Sequence, residues 1–382
     1  MDRENICGYR EYKRNRGLII EVHIADLHFG AFNPQLQYQI LQEQFIDKIK
    51  QLNNIDLISV DGDIFDHKVM SNSDVVLYAS LFIDNLVSIC REKNTTLILL
   101  HGTYSHDYDQ LKMFYHYMDD KTVDVRVITQ IQFEVVKGCR ILCIPELYGV
   151  EESVYENFFH YSGWYDEAFI HGTYEGSVYG NNVGAGRLLT EKDFIHCTGV
   201  AISGHVHKGG CFNGFYYYCG CPYRWKFGEE EDKGFLILVH DLDTRYHYTQ
   251  FEKIESFRYD TILLNDVISS NPKDLIDYIN NLKQTKGIDF IKVKINTPIN
   301  GSDKTIINNY YKNNKNTFVE FMDLTEIEEK KREEQIKQNE TYGYLMDNSI
   351  SDLDRFVMYI NNSEGYQFIT VDKLSELLSE KF

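Results

Sequence analysis

Five short apolar runs in the first two-thirds of the chain each end in a small group of Asp and His residues. LIIEVHI leads into ADLHFG, which carries Asp26 and His28, and IDLISV leads into DGDIFD, which carries Asp63 and Asp66. TLILL leads into HGTYSHD with His106 and Asp107, AFIHG ends on His171, and GVAIS leads into GHVH with His205 and His207. Runs of this length, rich in β-branched residues, read as strands buried on both faces. Ligand-binding groups in layered α/β folds collect where such strands end, so the five segments are expected to meet in one crevice.

The stretches between these runs have helical periodicity. Leu36, Ile40, Leu41, Phe45, Ile49 and Leu52 share a face, and residues 75–90 form a second helix with Ser73 or Asp74 as its cap. Further strands are expected at 140–144, 168–170, 199–203, 215–219, 235–240 and 245–251. β-α-β-α-β units followed mostly by strands predict an α/β fold, a sandwich of sheets with helices packed outside.

Composition shifts near residue 255. Asn271 then caps a helix that begins at Pro272 and lines one face with Leu275, Ile276, Ile279 and Leu282. Strands at 290–295 and 317–321 complete a small α/β unit. Thr325 with Glu328 has a capping-box pattern for a strongly charged helix. Two short amphipathic helices close the chain, one with Leu353, Phe356, Val357 and Ile360, the other with Val371, Leu374, Leu377 and Leu378. The expected organisation is therefore an N-terminal arm (1–16), a catalytic domain (17–254), a small α/β domain (255–340) and terminal helices (341–382).

Charge and cysteine content limit the functional classes. A net charge of −19 argues against coating nucleic acid by simple attraction, so any nucleic-acid contact must use local basic groups such as Arg10, Lys13, Arg14 and Arg16, or a partner. Eight cysteines without a CxxC pair exclude a zinc ribbon or a thioredoxin-type motif, and Cys211, Cys219 and Cys221 are expected to be buried as apolar groups. No run approaches the roughly 20 apolar residues of a membrane span, and the N-terminus lacks the apolar core of a secretory leader. A cytoplasmic location is the expectation.

The residue types suit one chemistry. A phosphodiester is anionic and resists attack, and two divalent ions about 3.5–4 Å apart both neutralise it and activate a water. A carboxylate can bridge such ions while imidazoles complete the set, and a His that is not a ligand can protonate the leaving oxygen. In Gly204-His205-Val206-His207, alternate residues of extended chain point to the same side.

Taken in order, these motifs resemble the signature of the calcineurin-like metallophosphoesterase superfamily: Asp-x-His, Gly-Asp-x-x-Asp, Gly-Asn-His-Asp, a lone His and Gly-His-x-His. The resemblance implies a four-layer αββα core and two divalent ions, Mn²⁺ foremost, with Fe²⁺ or Mg²⁺ as alternatives. One ion would take Asp26, His28, Asp63 and His207, and the other Asp63 as bridge, His171 and His205. His106 corresponds to the catalytic acid and Asp107 to its partner, while Asp66 fits a supporting position. Aligned on His106, Ser105 takes the place of an Asn ligand and the loop is two residues longer. The second ion is therefore expected to bind more weakly.

The segment YYYCGCPYRWKFGEEEDKGFLIL resembles the SbcD-type nucleases, matching at Gly220, Pro222, Phe227, Gly228, Glu229, Lys233, Gly234 and Phe235, with Cys221 in place of Ser. Its inferred role is a tight turn that returns the chain to the sheet. This resemblance implies a DNA exonuclease or endonuclease of recombination and repair, phage-encoded forms included. It also implies a homodimer paired with an SbcC-like ABC-type ATPase that carries coiled coils. The small α/β unit would be a capping domain for DNA, and the terminal helices would bind the ATPase. The rival readings are a non-catalytic scaffold and a small-substrate phosphatase or phosphodiesterase.

Overall fold

The computed structural model describes residues 17–177, 187–224, 226–229, 231–264, 271–296, 299–314 and 316–322, with 354, 355, 357 and 358 near the C-terminus. These divide into two compact units, one ending at Tyr259 and one beginning at Asp260. The expected N-terminal arm, the charged helix from Thr325 and nearly all of the terminal helices lie outside the described residues.

The first unit is built on two six-stranded sheets. Strands β1 (Leu18–Ile24), β2 (Leu57–Asp61), β3 (Thr96–Leu100) and β4 (Asp124–Ile128) run parallel in one sheet. In the other, β6 (Cys139–Ile144), β7 (Tyr165–His171) and β10 (Cys197–Gly204) run parallel, with β5 (Gln132–Val136) antiparallel at the edge. The pair β8 (Thr173–Tyr174) and β9 (Leu188–Leu189) stands apart. Beside β10 lie β12 (Tyr216–Tyr218) and then β11 (Gly210–Phe212). The first sheet is finished by the hairpin of β13 (Lys233–Asp241) and β14 (Tyr246–Ile254), with β13 antiparallel to β1.

Register explains the layers. Val22, Ile58, Leu97 and Val125 lie in line across the first sheet, and all pack with helical residues Leu41, Phe45, Phe82 and Leu86. One residue further along, Ile98 faces the opposite way, meeting Cys143, Phe169 and Ile202 from the other sheet. Leu142, Ala168 and Ala201 then face outward against Tyr155, Phe159 and Phe194 of the short helical turns Glu152–Glu156, Asn157–Tyr161 and Glu191–Phe194. Helix, sheet, sheet, helix is the expected α/β sandwich. Helix Asp74–Lys93 starts where the sequence predicts, with the Ser73 hydroxyl accepting from Val76 N, and stops at Asn94 in the left-handed conformation.

Strands β4 and β5 had no counterpart in the expectation, and the reason is positional. Both are edge strands, and their charged residues alternate with apolar ones. Arg126 pairs with Asp124 and with Glu134, each at 2.7 Å, so charges satisfied at the rim interrupt both strands, and neither shows the continuous apolar run by which the buried strands were identified.

The second unit has a three-stranded sheet in the order β15 (Tyr259–Leu264), β16 (Phe290–Ile295), β17 (Thr317–Phe321), packed with helices Pro272–Thr285 and Gly301–Tyr311. Asn271 caps the first helix by accepting from Lys273 N at 3.0 Å, and Leu275, Ile276 and Ile279 are buried against Ile291, Val293 and Ile295. Among the described residues, no helix is long and apolar enough to cross a membrane.

Candidate metal centre

The loops after β1, β2, β3, β6, β7 and β10 supply one cluster of side chains. Their backbones are shaped for it. Asp26, His28, Asp63 and His205 all have positive φ, at 53°, 42°, 52° and 81°, a region that L residues enter at a cost. The loops are stitched together: Asp26 N donates to Gly62 O at 3.1 Å and His28 N to Asp63 O at 3.0 Å. The Asp26 carboxylate accepts from His205 N at 3.0 and 3.1 Å. Glycine is required where these loops meet. A Cβ on Gly102 would lie 2.1 Å from Asp63 N, and one on Gly62 would lie 2.2 Å from His171 Nδ1.

Two of the groups formed by the ligand-type atoms are Asp26, His28, His207 and Asp63, His171, His205. These could hold metal ions, and Asp63 stands between them, with Oδ2 3.7 Å from His28 Nε2 and 3.3 Å from His171 Nε2. His28 Nε2 and His207 Nε2 approach to 3.1 Å. A test of fit comes from His171. Its Nδ1 donates to the Asp61 carbonyl at 2.8 Å, so in the neutral ring the Nε2 lone pair faces the Asp63 carboxylate. Two electron-rich atoms so close call for a proton or a cation between them. Mixed imidazole and carboxylate donors fit a borderline divalent ion.

Electrostatics agree. Burial, opposed by Asp63 and aided by His207 and His106, holds His28 well below its ordinary value, in the neutral form that ligates. Burial also disfavours charge on Asp63, yet His171, His28 and His106 outweigh it and hold that carboxyl far below the usual range. Burial raises Asp26 in spite of His207 and His171. On His171 burial acts downward, but Asp63, Asp26 and Glu146 raise the ring well above its ordinary value. A bound dication would displace that extra proton.

The structure brings Asp26, His28, Asp63, His106, His171, His205 and His207 together, and it redistributes the supporting roles. Ser105 is exposed, whereas Thr103 is buried against Asp63: its N–H donates to Oδ1 at 2.6 Å and its hydroxyl lies 3.3 Å from Oδ2. Thr103, in place of the expected Ser105, is thus the residue of this loop that faces Asp63. His106 Nδ1 hydrogen-bonds the Asp66 carbonyl, in place of the expected pairing with Asp107. Asp107 ties loops instead, accepting from Gly102 N at 2.8 Å, Phe65 N at 3.0 Å and Asp63 N at 3.1 Å. Burial, with the nearby Asp63 charge, raises its carboxyl to about 6. Asp66 lies beside the site, with Oδ1 3.6 Å from His28 Nδ1.

Besides Thr103, two residues escaped the sequence reading. Glu146, after β6, places Oε2 3.2 Å from His205 Nδ1. It follows the apolar run ILCI as the other site residues follow theirs, which was the available signal. Glu229, assigned to a tight turn, places Oε1 3.4 Å from His207 Nδ1, and Lys233 donates to the His207 carbonyl at 3.1 Å. That segment therefore braces the last histidine. Cys219 and Cys221 are buried as expected, and Cys211 is exposed.

No protein-family model matches the chain. It is 25% identical over 222 residues to the protein named putative phosphoesterase 244L of Invertebrate iridescent virus 6, an alignment spanning 56% of this chain and 74% of the viral one. A solved crystal structure aligns with all of its own chain and 62% of this one at 12% identity, but its TM-score of 0.40 is too low to inform the fold. The chain is thus similar to a protein described as a phosphoesterase and, among its described residues, carries neighbouring groups of His and Asp side chains that could hold metal.

Proposed function

We propose that this protein hydrolyses phosphodiesters, and that its substrate is DNA. The observation that carries this reading is the position of Asp63 between two His- and Asp-rich groups, the arrangement a pair of neighbouring ions needs. Asp26, His28, Asp63 and His207 would hold one ion, and Asp63, His171 and His205 the other, with Mn²⁺ as the metal. When bound, such ions neutralise the phosphate and make a water nucleophilic near neutral pH. His106 donates its Nδ1–H to the Asp66 carbonyl, so its Nε2 would be the atom that, in the imidazolium form, passes a proton to the leaving oxygen and is left neutral. Its ring stands 4.8 Å from that of His28, edge to face.

Phosphoester hydrolysis is supported by the viral relative's description. DNA is supported by the resemblance of 216–238 to SbcD-type nucleases, where Glu229 and Lys233 brace His207. The proposal extends to an ABC-type ATPase docking on residues 341–382 and to a homodimer. Incubating the full chain and Mn²⁺ with labelled linear duplex and with bis(4-nitrophenyl) phosphate tests it. Cleavage of both is expected. Hydrolysis of the small diester alone would identify a small-substrate enzyme, and Mn²⁺ binding without hydrolysis of either would identify a scaffold.

A further inference from the structure

Beyond the six ligands named above, the loop after β6 brings a further carboxylate to the centre. Glu146 is buried, and its Oε2 lies 2.8 Å from the Thr103 hydroxyl and 3.2 Å from His205 Nδ1. The Thr103 hydroxyl in turn lies 3.3 Å from His171 Nε2 and 3.3 Å from Asp63 Oδ2, and those two atoms are 3.3 Å apart. Asp63 Oδ2, His171 Nε2, Thr103 Oγ1, Glu146 Oε2 and His205 Nδ1 therefore form a continuous chain of neighbours.

We propose that Glu146 is an oxygen ligand of the ion held by Asp63, His171 and His205, with the Thr103 hydroxyl beside it. This rests on the metal-dependent reading above and specifies its second site.

Two physical arguments support it. The first is proton counting. Two carboxylates and the His171 lone pair surround a hydroxyl that has one proton to give, and that proton can serve one acceptor at a time. His171 spends its Nδ1–H on the Asp61 carbonyl. The Tyr148 hydroxyl donates to the other Glu146 oxygen at 3.2 Å and the Thr103 N–H to the other Asp63 oxygen at 2.6 Å. The three inward acceptors, Glu146 Oε2, Asp63 Oδ2 and Nε2 of a neutral His171, still outnumber the two protons that the Thr103 hydroxyl and the His205 ring could supply, in a buried pocket where unmet charge is costly. A cation meets all of the acceptors together.

The second is spacing. An octahedral ion with bonds of about 2.1 Å holds adjacent ligand atoms about 3 Å apart. Separations of 2.8, 3.2 and 3.3 Å along this chain match that figure. With Glu146 the site carries its own carboxylate in addition to the one it shares, which favours a hard divalent ion over a softer one. The second ion is then not the weaker one that the Ser105 alignment implied.

The alternative is that Glu146 only accepts a hydrogen bond from His205 and acts through it. Metal binding itself, read by the EPR signal of free Mn²⁺ during titration of the metal-free full chain, separates the two. The natural protein should bind two ions and His207→Ala one. In the His207→Ala background, Glu146→Gln should weaken the remaining ion by roughly 100-fold, because a neutral amide is a poor substitute for a carboxylate ligand. Glu146→Asp should recover part of the loss. If Glu146→Gln retains Mn²⁺ as tightly as its parent, Glu146 is not a ligand, since a Gln carbonyl still accepts from His205. Should Glu146→Gln fail to fold, as judged by circular dichroism, Glu146→Asp carries the test alone: a tenfold loss supports ligation, and unchanged affinity overturns it. A natural protein that binds no Mn²⁺ would overturn the metal-dependent function itself, a result distinct from two ions bound without regard to Glu146.

Discussion

Thr103 donates its backbone N–H to Asp63 Oδ1 across 2.6 Å, while Ser105, two positions on, is exposed. Thr103, and not the Ser105 that a match anchored on His106 singled out, is therefore the residue of this loop that meets Asp63. Thr103→Ala keeps the N–H and removes the hydroxyl, so Mn²⁺ affinity at the second site should fall by roughly tenfold. Ser105→Ala should leave affinity unchanged and stability within about 0.5 kcal/mol. Calorimetric Mn²⁺ titration and urea melts of both variants check this, and an equal loss in both would restore Ser105 to the site.

His106 and His207 should behave differently. His207 approaches His28 Nε2 to 3.1 Å inside the cluster, and His106 is tied to the Asp66 carbonyl. His106→Ala is expected to bind both ions and lose about 10²–10⁴-fold in cleavage rate, the usual contribution of a general acid. His207→Ala should lose one ion and the activity with it. Metal analysis of the two proteins after dialysis, beside their single-turnover rates, decides the matter.

Glu229 acts on His207 from behind. Removing it as Glu229→Ala frees the ring that its carboxylate holds at 3.4 Å, and loss of such a support generally costs about 10–100-fold in metal affinity. Glu229→Gln keeps an acceptor and should recover most of the loss. Unchanged Mn²⁺ affinity in the Ala variant would reduce Glu229 to a structural turn residue.

The core contains a pH-dependent element away from the ligands. His23 is buried between Asp61 at 2.9 Å and Glu21 at 3.0 Å. Burial works against its charge, but Asp61 and Glu21 raise the ring to about 10. A folded value above the unfolded one, about 6.5, means the protonated ring stabilises the fold fully below pH 6.5 or so. That contribution declines as pH rises and is lost through about 10. The melting temperature should therefore fall between neutrality and pH 10, and His23→Gln should flatten that decline while lowering stability at neutral pH.

Much of the architecture was legible because apolar periodicity and burial coincide. Strand β1, helix Asp74–Lys93 with its Ser73 cap, and the Asn271–Pro272 helix start all lie at or near their expected positions. Edge strand β4 was not, since Asp124 and Arg126, paired at the rim, interrupt the continuous apolar run that marks the buried strands. The candidate ligands Asp26, His28, Asp63, His171, His205 and His207 stood out because each lies at or just after the end of a strand, and the structure brings them together. Glu146 has the same placement but no recurring spacing, so only three-dimensional proximity to His205 reveals it. Thr103 was missed because the loop was matched backwards from His106, which singled out Ser105. A linear match anchored on His106 cannot show which end of that loop stays fixed.

The left-handed backbone of Asp26, His28, Asp63 and His205 makes the crevice the part of the fold that should open first. Each such residue costs roughly 1–2 kcal/mol relative to ordinary backbone, and glycine would relieve that cost while destroying the site. In the metal-free chain, amide hydrogens around residues 62–66 and 204–207 should exchange faster than those at the centres of β2 and β10. Mn²⁺ should slow them selectively, because ligation stabilises the conformation that the backbone alone disfavours. Asp26→Gly relieves the backbone but removes the carboxylate that accepts from His205 N, so it should gain less from added Mn²⁺ than the natural chain does.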